Sequence, residues 1–188
     1  MVGDAEATKR RLLDAAATEF AEYGIAGARV DRIAAAARSN KAQIYHYFTS
    51  KDGLFDAVLH ELAERIHREA PIDATDLPGY AGLLFDRLSD NPVAGRLANW
   101  YRLERGRDAA TLDVMIASTG EKLAAIEKAQ ADGVVPAHFA PVDLLALIVH
   151  LSSLWTSVTP EIHDLTAGHT RERRRQVVVD AVAALVRG

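Results

Sequence analysis

The chain has 188 residues, 49% of them hydrophobic, and a formal net charge of −4 at pH 7. This composition predicts one compact domain with a sizeable core and a small satellite domain. The absence of cysteine excludes disulfides, thiolate metal sites and a cysteine nucleophile. No apolar run reaches about 18 residues and the first residues lack an export signal, so we expect a cytoplasmic protein that does not enter a membrane.

The first predicted helix ends at a glycine. Before it, apolar residues recur at spacings of three and four, the pattern of an amphipathic helix. They are Leu12, Leu13, Ala16, Ala17, Phe20 and Tyr23. Gly24 follows, and glycine suits the left-handed position just beyond a helix end.

Residues 30–51 read as two short helices with a tight break between them. Asn40 offers an N-cap oxygen to a second helix that begins at Lys41. In that helix Ile44 and Phe48 point inward. The other side chains remain for the outside or the flanks: Lys41, Ala42, Gln43, Tyr45, His46 and Tyr47. This layout is typical of a helix-turn-helix that reads DNA, and the alternative is a helical hairpin whose tyrosines fill a core.

Four segments carry a family resemblance. They are TKRRLLDAA at 8–16, FAEYG at 20–24, VDRIA at 30–34 and IYHYFTSKDGLF at 44–55. In this order they resemble the N-terminal domain of TetR-family transcriptional regulators. The resemblance implies an all-α fold of about nine helices. It places a three-helix DNA-binding head with a helix-turn-helix at 1–50 and a larger helical ligand-binding and dimerisation domain at 51–188.

The resemblance also implies roles for residues of the head. Base edges are expected to meet Lys41, Ala42, Gln43 and His46, and phosphates to meet Arg29, Tyr45, Tyr47 and Lys51. The chain departs from the family pattern at Arg29, Arg38 and Ser39, where threonine, glycine and a hydrophobic residue are usual. A left-handed backbone at Arg38 would cost roughly 1 kcal/mol relative to glycine.

Charge is distributed unevenly along the chain. Residues 1–51 hold 8 Lys or Arg and 6 Asp or Glu, a balance of +2, which leaves −6 for residues 52–188. Two heads acting together would supply the phosphate contacts that one weakly basic head lacks. We therefore expect double-stranded DNA to be bound by a homodimer.

The remainder of the chain is predicted to be helical. A fourth helix, from Ser50 or Lys51, would brace the head and act as the lever between domains. Five further helical stretches are separated by breaks at 71–78, 89–92, 106–108, 132–141 and 160–169.

Two late stretches have apolar faces that the resemblance assigns to the dimer interface, near 141–159 and 171–187. The faces consist of Leu144, Leu145, Ile148, Leu151, Leu154 and Trp155, and of Val177, Val178, Ala181, Val182 and Leu185. The alternative is that both faces fill the core of a monomer.

The resemblance further implies a pocket for a small effector of unknown identity, apolar or amphipathic. Candidate lining residues are Phe85, Trp100, Tyr101, Met115 and His150. We expect no cofactor and no enzymatic activity.

One alternative is a helical metal-binding enzyme. It would use His60, Glu64 and His67, which lie at i, i+4 and i+7 on the fourth helix. Such enzymes need a second Glu-x-x-His, which the chain lacks, so a solvated face is the favoured interpretation. The run of arginines at 171–175 is likewise interpreted as a solvated first turn rather than a second nucleic-acid site.

Overall fold

The computed structural model describes residues 2–105 and 113–187. Over these ranges the chain contains ten α-helices and no strand, which confirms the all-α prediction. Within the same ranges, none of the helices combines the length and apolar character needed to cross a membrane. The predicted break at 106–108 lies outside the described residues.

The helices follow one another with short connections. The first six are α1 (Val2–Gly27), α2 (Val30–Ala36), α3 (Lys41–Phe48), α4 (Lys51–Glu69), α5 (Leu77–Asp90) and α6 (Pro92–Trp100). A π-helical turn, Tyr101–Arg105, continues α6. The last four are α7 (Asp113–Ala131), α8 (Pro141–Ser152), α9 (Pro160–Leu165) and α10 (Arg171–Leu185), with a 3-10 turn, Leu154–Thr156, after α8.

One helix lies where the sequence predicted a break. Helix α9 occupies the first part of 160–169, and Pro160 stands in its first turn. A proline there costs little because the first N–H groups of a helix have no partner within it, and its fixed φ suits the helix. The proline therefore begins a helix instead of interrupting one.

The chain divides into two compact units. The first unit comprises Met1–Glu64 and Val93–Leu112, and the second comprises Arg65–Pro92 and Asp113–Gly188. These units differ from the predicted domains 1–50 and 51–188, because the first unit also contains most of α4, nearly all of α6 and the π-helical turn.

The core of the first unit is built by α1 to α4 together with α6. Phe20 and Phe55 meet edge to face with ring centroids 5.1 Å apart. Ile44 and Phe48 are buried, as the periodicity of α3 predicted, and Leu97 of α6 joins the same cluster. A three-helix head of this size has a marginal core, and α4 and α6 enlarge it.

The core of the second unit corrects the prediction about the dimer faces. Several residues assigned to those faces are buried inside their own protomer: Leu144, Leu145, Ile148, Val178 and Val182. The apolar side chains that α8 exposes are others, namely Val142, Leu147 and Val149. Because α8 is apolar nearly all round, its sequence pattern could not separate the core face from the outer face.

Candidate nucleic-acid interface

The turn between α2 and α3 is a left-handed helix end with arginine in the usual place of glycine. Arg38 has a φ of 50°. Its N–H donates to the Ala35 carbonyl at 3.1 Å, and the Ser39 N–H donates to the Ala34 carbonyl at 2.9 Å. These two bonds define a Schellman motif. The departure from glycine therefore keeps the turn and places an exposed cation at its corner, at a cost of roughly 1–2 kcal/mol.

Polar side chains fix the start of α3. The Asn40 side chain accepts from the Gln43 N–H at 3.0 Å, which confirms the predicted N-cap. The Ser39 hydroxyl donates to Gln43 Oε1 at 2.5 Å. A glutamine that reads adenine accepts from N6 and donates to N7. The second lone pair of Oε1 and the amide NH₂ group of Gln43 remain available for these two bonds.

The outer face of α3 presents the predicted set of side chains. Lys41, Ala42, Tyr45 and His46 are exposed, whereas Gln43 and Tyr47 are half-buried. The rings of His46 and Tyr47 meet edge to face at 5.2 Å, and Tyr47 packs against the core of the unit. Six neighbouring polar or small side chains thus share one accessible surface.

Lys41 is already ion-paired on this surface. Its Nζ lies 2.7 Å from Oδ1 of Asp31, and both side chains are exposed. The hydrogen bond to Asp31 raises the pKa of the Lys41 ammonium. Asp31 therefore neutralises one of the cations expected to meet DNA.

Arg29 and Lys51 flank α3. The backbone N–H of Arg29 donates to Glu19 Oε1 at 2.8 Å, which leaves its exposed side chain for other contacts. Lys51 Nζ donates to the carbonyls of Ala26 and Ala28, each at 3.3 Å. Lys51 thus also fixes the connection between α1 and α2.

Glu19 is a buried carboxylate that organises this part of the unit. It is 8% exposed and accepts from Arg32 Nε at 2.8 Å in addition to the Arg29 N–H. Burial by itself raises the pKa of Glu19, but the hydrogen bonds from Arg32 and Arg29 outweigh it and hold that pKa below the usual range. Arg32 also lies over the Tyr23 ring, 4.2 Å from its centroid.

The junction between α3 and α4 is a strained γ-turn. Thr49 has a φ of 66°, and the Ser50 N–H donates to the Phe48 carbonyl at 2.6 Å. Ser50 then caps α4 by accepting from the Gly53 N–H at 2.9 Å. A Cβ at Gly53 would overlap the Phe48 carbonyl, so glycine is required for this close approach.

The π-helical turn and α6 clamp the end of α1, a feature that sequence reasoning missed. The Glu104 carboxylate accepts from the N–H groups of Ile25 and Ala26 at 3.1 and 2.9 Å. Arg96 Nε and Trp100 Nε1 both donate to the Ala21 carbonyl, at 2.7 and 3.2 Å. We call this group the α1 clamp.

Gly24 makes the α1 clamp possible. Its φ is 70°, and a Cβ there would overlap the Glu104 carboxylate and approach the Trp100 ring to 2.9 Å. The ψ of Gly24 is −178° and α1 resumes beyond it to Gly27, so the predicted left-handed helix end is a kink within α1. The sequence correctly predicted that this position needs glycine, since this backbone conformation is essentially open to glycine alone. It contained no local sign of the residues that crowd it, which are about 80 positions away along the chain.

The predicted effector residues are spread over both compact units. Phe85 lines a cavity in the second unit, Met115 is half-buried, and His150 is exposed with Nδ1 2.8 Å from the Ala146 carbonyl. Trp100 belongs to the α1 clamp, and Tyr101 packs against the core of the first unit. The aromatic pair at 100–101 thus has a structural role in the head.

The residues of the metal-enzyme alternative are not gathered into a site. His67 contacts α7, with Nδ1 3.2 Å from Ser118 Oγ and Nε2 3.3 Å from Glu121 Oε2. His60 Nδ1 lies 4.0 Å from Glu64 Oε2. Among residues 2–105 and 113–187, no three His, Cys, Asp or Glu side chains form a group able to hold a metal.

A capped helix with an exposed polar face, supported by a second helix across a tight turn, defines a helix-turn-helix DNA-binding protein. Comparison with known proteins gives the family. Residues 12–58 match the family described as "Bacterial regulatory proteins, tetR family". Residues 76–183 match the family described as "Tetracyclin repressor-like, C-terminal domain".

Individual relatives agree along most of the chain. The HTH-type transcriptional repressor SCO4008 of Streptomyces coelicolor is 37% identical over 166 residues, which cover 88% of this chain and 86% of the relative. The HTH-type transcriptional regulator RutR of Escherichia coli is 28% identical over 180 residues, covering 88% and 82%.

A solved structure is similar throughout. It is the putative transcriptional regulator SCO4942 from Streptomyces coelicolor, with a TM-score of 0.85 and 38% identity, covering 95% of this chain and 97% of that one. The chain belongs to the TetR family and is a ligand-responsive, DNA-binding transcriptional regulator.

Proposed function

We propose that the protein is a homodimeric repressor that binds a palindromic operator and is released by a small apolar or amphipathic effector. The observation that carries this proposal is the exposed face of α3, where Lys41, Ala42, Tyr45 and His46 are accessible together. An α-helix that presents such side chains fits the major groove of B-DNA. Because the target is the chromosome, we place its action in the cytoplasm.

Within that face we assign two tasks. Lys41, Ala42, Gln43 and His46 are proposed to contact base edges, since ammonium, methyl, amide and imidazole groups match the major-groove pattern. Arg29, Tyr45, Tyr47 and Lys51 are proposed to hold phosphates. Arg38 is a further candidate for a phosphate contact, because its exposed side chain stands at the corner of the turn.

Dimerisation is proposed through α8 and α10. Support comes from the exposed apolar side chains of α8, with Val142 58% and Val149 42% exposed in the single chain. Their burial against a second copy would remove apolar surface from water. A two-fold dimer would then present two α3 helices to successive major grooves, about 34 Å apart.

Helix α4 is proposed to transmit effector binding, because it contributes residues to both compact units. An effector that binds better to one arrangement of the dimer shifts the population toward that arrangement. If that arrangement has the wrong spacing of α3 helices for the operator, the effector releases DNA.

The test begins with selection of genomic fragments bound by the purified protein, followed by titrations on the operator and on random DNA. His46→Ala is expected to lose about 1 kcal/mol of binding free energy on the operator and none on random DNA. Tyr47→Phe keeps the packed ring, removes the hydroxyl and should weaken both kinds of DNA alike. His163→Ala, on the exposed α9, is the matched histidine control.

Two results would contradict the proposal. One is an equal loss for His46→Ala on operator and random DNA, which would remove the assignment of bases to α3. The other is a set of selected fragments without paired half-sites about one helical turn, or a multiple of it, apart. That result would remove the dimeric arrangement.

A further inference from the structure

A cavity of about 340 Å³ lies inside the second unit. It is bounded by the end of α5, the 3-10 turn after α8 and the start of α10. Its walls combine apolar side chains with two guanidinium groups and three hydroxyl groups, and the principal lining residues are Phe85, Leu88, Pro92, Trp155, Arg171 and Arg174. This size and lining suit a small organic molecule.

The charges beside the cavity do not balance. Arg171 Nη1 lies 2.7 Å from Asp90 Oδ1, and Arg175 Nε lies 2.8 Å from Asp86 Oδ2. Arg174 has no carboxylate partner in the part of the chain that the structure describes. Three guanidinium groups thus share two carboxylates, and the uncompensated cation lines the cavity.

Arg174 is held in place without being fully satisfied. Its guanidinium lies over Trp155, 5.4 Å from the ring centroid, and Nη2 donates to the Thr166 carbonyl at 3.2 Å. The Trp155 indole N–H in turn donates to the Arg174 carbonyl at 3.1 Å. Arg174 Nε is buried and has no acceptor among the described residues. The guanidinium thus keeps its charge beside the cavity with no carboxylate next to it, and a bound anion would pair with that charge.

We propose that this cavity binds a small organic monocarboxylate. Its carboxylate would pair with Arg174, and its apolar body would pack against Phe85, Leu88 and Trp155. A single negative charge matches the one uncompensated cation, and guanidinium is the side chain best suited to a planar carboxylate. The proposal concerns binding in this cavity and does not depend on the operator or on the proposed dimer.

The test uses the full-length protein and a matched pair of probes, 4-tert-butylbenzoate and 4-tert-butylbenzamide, in isothermal titration calorimetry. The two probes share the apolar body and differ in charge. We expect saturable binding of the benzoate with a Kd of about 1 mM or tighter. The benzamide should bind at least about tenfold more weakly, because it cannot form the charge-assisted bonds.

Two variants locate the binding site. Arg174→Gln should weaken binding of the benzoate at least about tenfold and leave binding of the benzamide unchanged. Arg173→Gln removes the same charge from the neighbouring exposed position and should leave both probes unchanged. Thermal unfolding followed by circular dichroism checks that each variant is folded. If Arg174→Gln does not fold, the two probes on the unchanged protein still decide the matter.

Three outcomes would overturn the proposal. They are no saturable binding of the benzoate, equal binding of the two probes, and equal losses in the Arg173 and Arg174 variants. The first is also the result expected if a second copy of the chain covers the cavity. Operator titrations are separate measurements, so failure here leaves the DNA-binding function untouched.

Discussion

The two compact units hold their helices together by different means. In the first unit, side chains reach across to the backbone of neighbouring helices: Arg11 to Ala37, Arg96 and Trp100 to Ala21, and Glu104 to Ile25 and Ala26. In the second unit, α5 and α10 are joined by ion pairs, Arg171 with Asp90 and Arg175 with Asp86, and the buried Ser152 hydroxyl donates to the Ala81 carbonyl at 3.1 Å. A bond to backbone atoms fixes the position of a helix directly, whereas exposed ion pairs contribute only about 0–1 kcal/mol each.

The largest expected effect compares two glycines with positive φ, one from each unit. Gly24 and Gly133 have φ values of 70° and 74°, but only Gly24 is crowded, since nothing lies within 4 Å of a Cβ at Gly133. Gly133→Ala should therefore cost about 1 kcal/mol for backbone conformation alone. Gly24→Ala should cost about 2–4 kcal/mol, because it also disrupts the α1 clamp.

Urea unfolding of both glycine variants at neutral pH measures these costs. A Gly24→Ala loss no greater than that of Gly133→Ala would mean that the α1 clamp yields without strain. The contrast between helices bonded through backbone atoms and helices joined by ion pairs would then fail at the α1 clamp, where it is strongest.

The second prediction concerns the buried carboxylate of the first unit. Glu19→Gln should lower the free energy of unfolding by about 1–3 kcal/mol at pH 7, because it leaves Arg32 without its carboxylate partner. The pKa of Glu19 is lowered in the folded protein, so its stabilisation is present above the usual carboxyl pKa and is lost as pH falls through the folded value. The difference in the free energy of unfolding between the variant and the unchanged protein should therefore become smaller at low pH.

Urea unfolding at pH 7 and at about pH 3 checks this dependence on pH. Asp14→Asn, an exposed position on the same helix, is the control and should show little change at either pH. A gap that stays constant between the two conditions would show that the Glu19 charge does not contribute.

The smallest predicted effect lies on the DNA-reading surface itself. Asp31→Asn frees Lys41 from its ion pair and removes a negative charge from the interface. Affinity for random DNA should rise a few-fold at low salt, because a carboxylate that repels phosphates is neutralised, and the dependence of log affinity on log salt should steepen. Protein stability should barely change, since exposed pairs contribute about 0–1 kcal/mol.

Filter binding or fluorescence anisotropy over a range of salt concentrations measures this slope. Glu127→Gln makes the same charge change on the exposed face of α7 and should not alter it. Equal effects of the two variants would indicate a response to net charge alone, without a specific role for Lys41.

Local features of the sequence were sufficient to predict much of the first unit. Helical periodicity placed Ile44 and Phe48 inside, and cap chemistry placed the start of α3 at Asn40. The positive φ at Gly24 was foreseen because this glycine follows the last turn of a predicted helix, and Arg38 was singled out as the position where a left-handed backbone would carry arginine instead of glycine. Each of these features depends on neighbours within about five positions.

What the sequence could not supply depends on long-range contacts. The pair Trp100 and Tyr101 has the same appearance whether it lines a pocket or closes the head, and only the fold shows that Trp100 reaches Ala21. Leu144 and Val178 likewise belong to apolar stretches whose partners periodicity cannot identify. The DNA-contact and effector assignments remain predictions for the same reason, since they depend on partners outside the chain.

The γ-turn at Thr49 has a mechanical consequence. Only Thr49 and Ser50 separate α3 from α4, and Gly53 allows the two helices to approach without a spacer. This short connection ties the first turn of α4 to the end of α3, while Ile44 and Phe48 hold α3 in the core of the first unit. A longer, glycine-rich junction would remove the first of these two constraints and leave the second.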